Sequence, residues 1–153
     1  MYEALFEKLL SRCRGITPGH NFRFKNLLYS LDASTIDLCL SAFPWADFRS
    51  TKGTVKLHVG LKHHGYLPEF AVITEGTVSD VEVGRTLAFP KGSIVAVDRG
   101  YNDYAWYKPL TDKGIFFVTR LKSNAKYRVV DRRPVIKGSG LTCDQSIEFT
   151  GPH

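Results

Sequence analysis

Two aspartates stand where apolar patterns stop. Leu27-Leu28-Tyr29-Ser30-Leu31 runs into Asp32, and Ser93-Ile94-Val95-Ala96-Val97 runs into Asp98. They are 66 residues apart, yet neighbouring strands can bring such ends together. Two carboxylates at adjacent strand ends suit a hard divalent cation, because Mg²⁺ takes oxygen ligands and keeps several waters. A pair of such ions about 3.5–4 Å apart can clamp the attacking and leaving oxygens of a phosphodiester. The ions also offset the mutual repulsion of the acids. An aspartate after a strand is equally a turn former or a helix cap, and Asp98 before Arg99-Gly100 fits that reading too.

Other candidates are weaker. Asp37 lies five residues beyond Asp32, so a single strand through both would turn them to opposite faces. The more apolar run precedes Asp32, which is therefore preferred. Asp80, in Val78-Ser79-Asp80 before a helical pattern, reads as an N-cap rather than a metal ligand. His58, His63 and His64 share one hairpin, with no cysteine nearby to complete a zinc site, and read as turn and surface residues. His58 points to the same face as Lys56. Ser34 and Cys39 lack a histidine at catalytic spacing. Gly100-Tyr101-Asn102 lacks the pattern of a phosphate-cradling loop. Tyr101, Tyr104, Trp106 and Tyr107 cluster beside Asp98, and their helical spacing makes most of them core. Arg99 could bind phosphate through a bidentate guanidinium, or pair with Asp103.

The elements that must position these residues follow from hydrophobic period. Leu5, Phe6, Leu9 and Leu10 predict a helix over 2–12, broken by Gly15, Pro18 and Gly19. A strand runs to Asp32. Ile36, Leu38 and Leu40 predict a second short strand or a bent continuation, closed by Phe43-Pro44-Trp45. Val55, Leu57, Val59 and Leu61 alternate with polar residues, His63-His64-Gly65 turns, and Phe70–Thr74 returns as a hairpin. Val81–Phe89 reads as a helix stopped by Pro90 and Gly92. Val97 ends a buried strand, Asp103–Asp112 is helical with Tyr104, Tyr107 and Leu110 as its core stripe, and Ile115–Val118 is another buried strand. Strands alternating with helices make this an α/β chain with a mixed sheet.

The chain has 153 residues, 43% of them apolar and 24% charged, which excludes wholesale disorder and coiled coil. Apolar runs fall far short of the roughly 20 residues that cross a bilayer. The start, Met1-Tyr2-Glu3-Ala4-Leu5-Phe6-Glu7-Lys8, is not of secretory type. Cys13, Cys39 and Cys143 are too few and too scattered for a disulfide framework, which fits a reducing cytoplasm. The net charge is +6. Between residues 120 and 137 stand Arg120, Lys122, Lys126, Arg128, Arg132, Arg133 and Lys137, opposed only by Asp131, so this stretch accounts for the whole excess. Such a cluster attracts phosphate backbones by releasing counterions.

Taken together, four segments resemble the catalytic domain of bacterial insertion-sequence transposases of the DDE kind (IS-four type), which have a ribonuclease-H-like core. Ser30-Leu31-Asp32-Ala33-Ser34-Thr35-Ile36-Asp37-Leu38 is similar to the first-acid motif, and Val97-Asp98-Arg99-Gly100-Tyr101 to the second. Lys52-Gly53-Thr54-Val55-Lys56-Leu57-His58 resembles the strand after the first acid, and Phe117-Val118-Thr119-Arg120-Leu121-Lys122 the next core strand. The resemblance runs from about Leu5 to Gly151. It implies a partial ribonuclease-H-like mixed sheet with flanking helices over 1–125, and the start of a β-rich insertion over 126–153.

It also implies metal-dependent DNA cleavage and strand transfer, with Asp32 and Asp98 as catalytic metal ligands for Mg²⁺ or Mn²⁺. DNA contacts would come from Lys56, Arg99, Arg120, Lys122, Lys126, Arg128, Arg132 and Arg133. The full-length protein would be a homodimer in the bacterial cytoplasm, at the nucleoid. The third acid is a Glu in a Tyr-x-x-Arg-x-x-x-Glu-x-x-x-x-x-x-Lys helix, which nothing here matches. Glu148 lies in a strand-like Ser146-Ile147-Glu148-Phe149. The chain therefore reads as a middle slice of such a protein, inactive alone. The alternative is a non-catalytic DNA-binding remnant. Without the helix of the third acid, one sheet face should stand uncovered and apolar.

Overall fold

The computed structural model describes residues 2–13, 20–38, 47–48 and 52–150. The chain divides into two compact units, Met1–Arg120 and Leu121–His153. In the first, helix α1 (Tyr2–Cys13) is followed by β1 (Leu28–Leu38), β2 (Asp47–Phe48), β3 (Lys52–Lys62) and β4 (Leu67–Glu75). Then come α2 (Asp80–Thr86), β5 (Ile94–Val97), a single 3-10 turn (Arg99–Tyr101), α3 (Tyr104–Asp112) and β6 (Phe116–Val118). The second unit is a hairpin of β7 (Tyr127–Arg133) and β8 (Asp144–Phe149). The breaks expected at Gly15, Pro18 and Gly19 and at Phe43-Pro44-Trp45 lie outside the described residues, as do Cys39 and Leu40. No helix among the described residues is long and apolar enough to cross a membrane.

β1 organises the sheet. It runs antiparallel to β3 on one edge and parallel to β5 on the other. β6 lies parallel beyond β5, and the far edge of β3 carries β4 and the short β2. Four strands joined by antiparallel pairing thus precede two parallel ones, each reached through a helix. This is the mixed α/β sheet with flanking helices expected of a ribonuclease-H-like core.

The expected break after Asp32 is absent. β1 pairs without interruption from Tyr29 opposite Lys62 to Leu38 opposite Gly53. Asp32 therefore lies inside a strand rather than at its end. The apolar run stops at Leu31 because parallel pairing to β5 stops there, and with it burial on both faces. The antiparallel ladder continues through Ser34, Thr35 and Ile36, which need burial on neither face.

The core sits on the face shared by Leu31, Val95 and Val97, beneath α2 and α3. In α3, Asp103 caps the helix by accepting the Trp106 N–H at 2.8 Å, which turns Trp106, Tyr107 and Leu110 inward. Tyr104, expected in this stripe, is exposed, and Trp106 takes its place. Helix α2 ends at Thr86, short of the expected Phe89. Leu87 and Phe89 still pack on the core, from an extended segment before Pro90, whose ring disfavours a helical residue ahead of it.

β6 is not the buried strand its composition suggests. It forms the edge of the sheet, and Phe116 and Val118 are 60% and 57% exposed. Only Phe117 finds cover, stacked on Tyr107 with ring centroids 4.1 Å apart. By the pleat, Phe116 and Val118 share their face with Asp32, Ile36 and Ile73, and Ile36 and Ile73 are exposed as well. Trp106 joins Tyr101 and Tyr107 at the centre of the covered face and packs over Gly84 of α2. Trp106→Ala should therefore cost about 3–5 kcal/mol of stability. Urea denaturation checks this, and an unchanged midpoint would contradict it.

Candidate functional site

The β1–β5 ladder ends one residue short of each of the two expected acids. Leu31 pairs with Val97 in the last row of parallel register; Asp32 continues β1, while Asp98 follows the end of β5 and caps the 3-10 turn. Both aspartates are exposed. Asp37 sits on the opposite face of the same unbroken strand from Asp32.

After Asp98 the chain turns at once. The Asp98 carboxylate accepts the Gly100 N–H at 2.8 Å and so caps the 3-10 turn. The cap reading of Asp98 is thus correct, and it leaves the second carboxylate oxygen uncommitted to that bond. Below the turn, the Asn102 side-chain carbonyl accepts the hydroxyls of Tyr107 and Thr119, both at 2.8 Å. The Asn102 amide donates to the Arg120 carbonyl at 2.8 Å. These bonds tie the segment after β5 to α3 and to the end of β6.

Tyr101 is 2% exposed and lies within the electrostatic reach of Asp80, Asp32 and Asp98. Burial pushes its hydroxyl far above the ordinary tyrosine range, and the three carboxylates push it further. Tyr101 therefore stays neutral and adds no charge to an already acidic place.

Asp80 is placed differently from expectation. The N-cap of α2 is Ser79, and Asp80 is the first helical residue. Its carboxylate accepts the Lys56 ammonium at 3.1 Å. Lys56 also donates to the Val78 carbonyl at 2.9 Å. His58, read as a surface histidine, is wholly buried. Its Nε2 meets the Thr74 hydroxyl at 2.9 Å, and its Nδ1, without a hydrogen-bond partner, lies 3.9 Å from Asp80. The signal for this cluster was present in the sequence, since Lys56 and His58 stand two apart on one strand and so share a face. Nothing local tied Asp80 to them.

Arg99 is exposed and forms no ion pair among the described residues, because Asp103 pairs with Arg85 at 2.8 Å. In the second unit the basic stretch is less free than its count suggests. Arg128 donates to Glu148 at 2.7 Å and Arg133 to Asp144 at 2.6 Å, across the β7–β8 register. Arg133 holds the Asp144 carboxyl below the usual range. Those acids come from beyond residue 137, outside the window that held only Asp131. Lys122, Lys126 and Arg132 are exposed and carry no ion pair among the described residues. Arg120 is exposed too, with its carbonyl engaged by Asn102.

Among the described residues no group of three His, Cys, Asp or Glu side chains is gathered closely enough to hold a metal ion. What the arrangement offers is a pair of exposed carboxylates on adjacent strands, with a third, Asp80, neutralised by Lys56.

The chain belongs to the family described as "Transposase DDE domain", whose sequence profile matches residues 23–146. It is 35% identical over 100 residues to the protein named "Putative transposase y4zB" of Sinorhizobium fredii. It is 28% identical over 120 residues to the "Probable transposase for insertion sequence element IS5377" of Geobacillus stearothermophilus. These alignments cover 64% and 78% of this chain but only 28% and 31% of the relatives, so the chain spans under a third of their length. A chain of the simian T-cell lymphotropic virus intasome, solved by cryo-electron microscopy with a PP2A regulatory subunit, superposes at a TM-score of 0.40. It is 16% identical over 76% of this chain and 42% of its own, too distant to bear on the site.

Burial lowers the proton affinity of His58 and, with a contribution from nearby His20, that of His63. For His58 the Asp80 charge opposes the shift without reversing it. The unfolded chain then binds these protons more tightly than the fold does. The stability involved is complete above the ordinary value of 6.5 and is lost as pH falls through it. The urea midpoint should fall between about pH 7.5 and about pH 5.5, a window in which histidine is the side chain that ordinarily titrates. His63→Gln should flatten part of that decline, and a midpoint constant across the window would contradict this account.

Proposed function

We propose that this chain supplies the first two acids of a metal-dependent DNA transposase. Asp32 and Asp98 would together hold a divalent cation, Mg²⁺ or Mn²⁺, at a DNA phosphodiester. The observation that carries the reading is the register that ends with Leu31 opposite Val97. The donor set suits a hard cation, being two exposed carboxylates with room for waters and no soft ligand beside them. A bound cation of this kind activates water at neutral pH and offsets charge on the phosphate oxygens.

The chain's own groups do the positioning. The Gly100 N–H fixes one Asp98 oxygen, Asn102 braces the turn, and protonated Tyr101 keeps a further negative charge away from the carboxylates. Arg99 beside Asp98, with Lys122, Lys126 and Arg132, are the exposed cations we assign to DNA phosphates. Arg120, Arg128 and Arg133 join them through whatever charge their own contacts leave. Lys56, engaged by Val78 and Asp80, has a role inside the protein first.

The longer protein would act on DNA as a homodimer, at the nucleoid of a bacterial cytoplasm. The glutamate pattern of the third acid has no match in this sequence, so the chain alone should give little or no strand transfer. A non-catalytic DNA-binding role is the second reading, favoured by second-unit bases such as Lys122, Lys126 and Arg132 that carry no ion pair among the described residues.

Calorimetric titration of the purified chain with Mn²⁺ tests the first reading. Asp32→Asn and Asp98→Asn should each weaken binding at least about tenfold. Equal affinity in all three proteins would overturn it, as robust specific nicking by the chain alone would overturn its inactivity. DNA affinity in a gel shift should fall steeply with salt, and replacing Lys122, Lys126 and Arg132 by Gln should flatten that dependence. A salt-independent shift would rule out phosphate contacts as the source of binding.

A further inference from the structure

We propose that Asp80 is a positioning residue for Asp98, and that Lys56 is what allows it to be one. The contacts form one continuous series. Lys56 Nζ donates to Asp80 Oδ1 at 3.1 Å and to the Val78 carbonyl at 2.9 Å, pinning the start of α2 to β3. The other Asp80 oxygen faces Gly100. A methyl group placed on Gly100 would meet Asp80 Oδ2 and Asp98 Oδ1, each at 3.0 Å, so the two carboxylates flank the same glycine. That glycine's N–H is the one that holds Asp98 Oδ1.

A second observation shows that the cluster is more than a helix start rich in acid. His58, 0% exposed, turns its unpartnered Nδ1 toward Asp80 at 3.9 Å. A buried polar atom left without a partner costs free energy, and here that atom faces the carboxylate that flanks Gly100. Asp80 is the first helical residue of α2 rather than its N-cap, which is Ser79, and a first-turn acid suits the helix dipole without requiring an approach to Gly100.

The electrostatics give Lys56 its part. Two carboxylates on either side of one glycine repel each other. The Lys56 ammonium compensates one of them, so Asp80 can press on the 3-10 turn without driving Asp98 off the Gly100 N–H. Loss of Lys56 leaves Asp80 uncompensated, and loss of Asp80 removes the wall against which the turn rests.

Amide hydrogen exchange followed by NMR on the purified chain tests this. Lys56→Met and Asp80→Ala should each speed exchange at Gly100 about tenfold, the loss of roughly one charge-assisted hydrogen bond. Amides of α2 and of the core strands should change much less, and Lys56→Arg should restore slow exchange. Should Asp80→Ala fail to fold, the near-isosteric Asp80→Asn is read in its place. Unchanged exchange at Gly100 would overturn the proposal. So would acceleration of equal size throughout α2, which marks a helix-stabilising role alone.

The proposal rests on the reading of Asp98 as a cation holder, and the two are separable. Asp32→Asn should leave Gly100 exchange as it is while weakening Mn²⁺ binding. Absence of Mn²⁺ binding by the unaltered chain would remove the functional reading, and Gly100 exchange would still decide the positioning role.

Discussion

The parallel pairing of β1 with β5 is the constraint on which the site depends. It is short, from Leu28 opposite Ile94 to Leu31 opposite Val97, yet it joins positions 66 residues apart. Its last row is apolar on both strands, and the residue that follows in each segment is an aspartate, Asp32 and Asp98. Slipping the register by one residue would turn a carboxylate into the core face and a valine or leucine out of it. The apolar demand of the core thus fixes the acids in place. Val95, without exposed surface, and Val97 pack with Tyr101, Trp106 and Tyr107, and this cluster holds the strands in that row.

What surrounds the acids manages their charge. Three carboxylates, from Asp32, Asp80 and Asp98, lie within the electrostatic reach of the buried Tyr101 hydroxyl. The chain answers with one ammonium from Lys56, one backbone N–H from Gly100 and a tyrosine kept neutral. On our reading a divalent cation supplies the remainder. The chain belongs to the Transposase DDE domain family and spans 28% and 31% of the length of the relatives it matches.

Much of the fold was legible because hydrophobic period is a strong local signal. The α1 pattern, the β3–β4 hairpin with its His63-His64-Gly65 turn, the four-residue β5 and the α3 helix all lie close to where the residue types put them. The sheet class followed from the alternation of these elements. The misreadings share one cause, which is that burial depends on neighbours. Phe116, Phe117 and Val118 have the composition of a buried strand but form an exposed edge, because nothing in the described residues covers their outer side. β1 seemed to end at Asp32 because one neighbouring strand ends there, while its other neighbour, β3, continues. His58 looked like one of three hairpin histidines, and only the approach of α2 from more than twenty residues away makes it a buried partner of Asp80. The basic stretch was overcounted for the same reason, since Glu148 and Asp144 reach Arg128 and Arg133 across a hairpin.

Two aspartates from distant segments, joined by one in-register ladder, are the centre of this account. Anomalous scattering from crystals of the chain soaked in Mn²⁺ tests that claim most directly. A manganese peak coordinated by the carboxylates of both Asp32 and Asp98 is the expected result. Manganese bound elsewhere, with those two side chains diverging to opposite faces of the sheet, would contradict it.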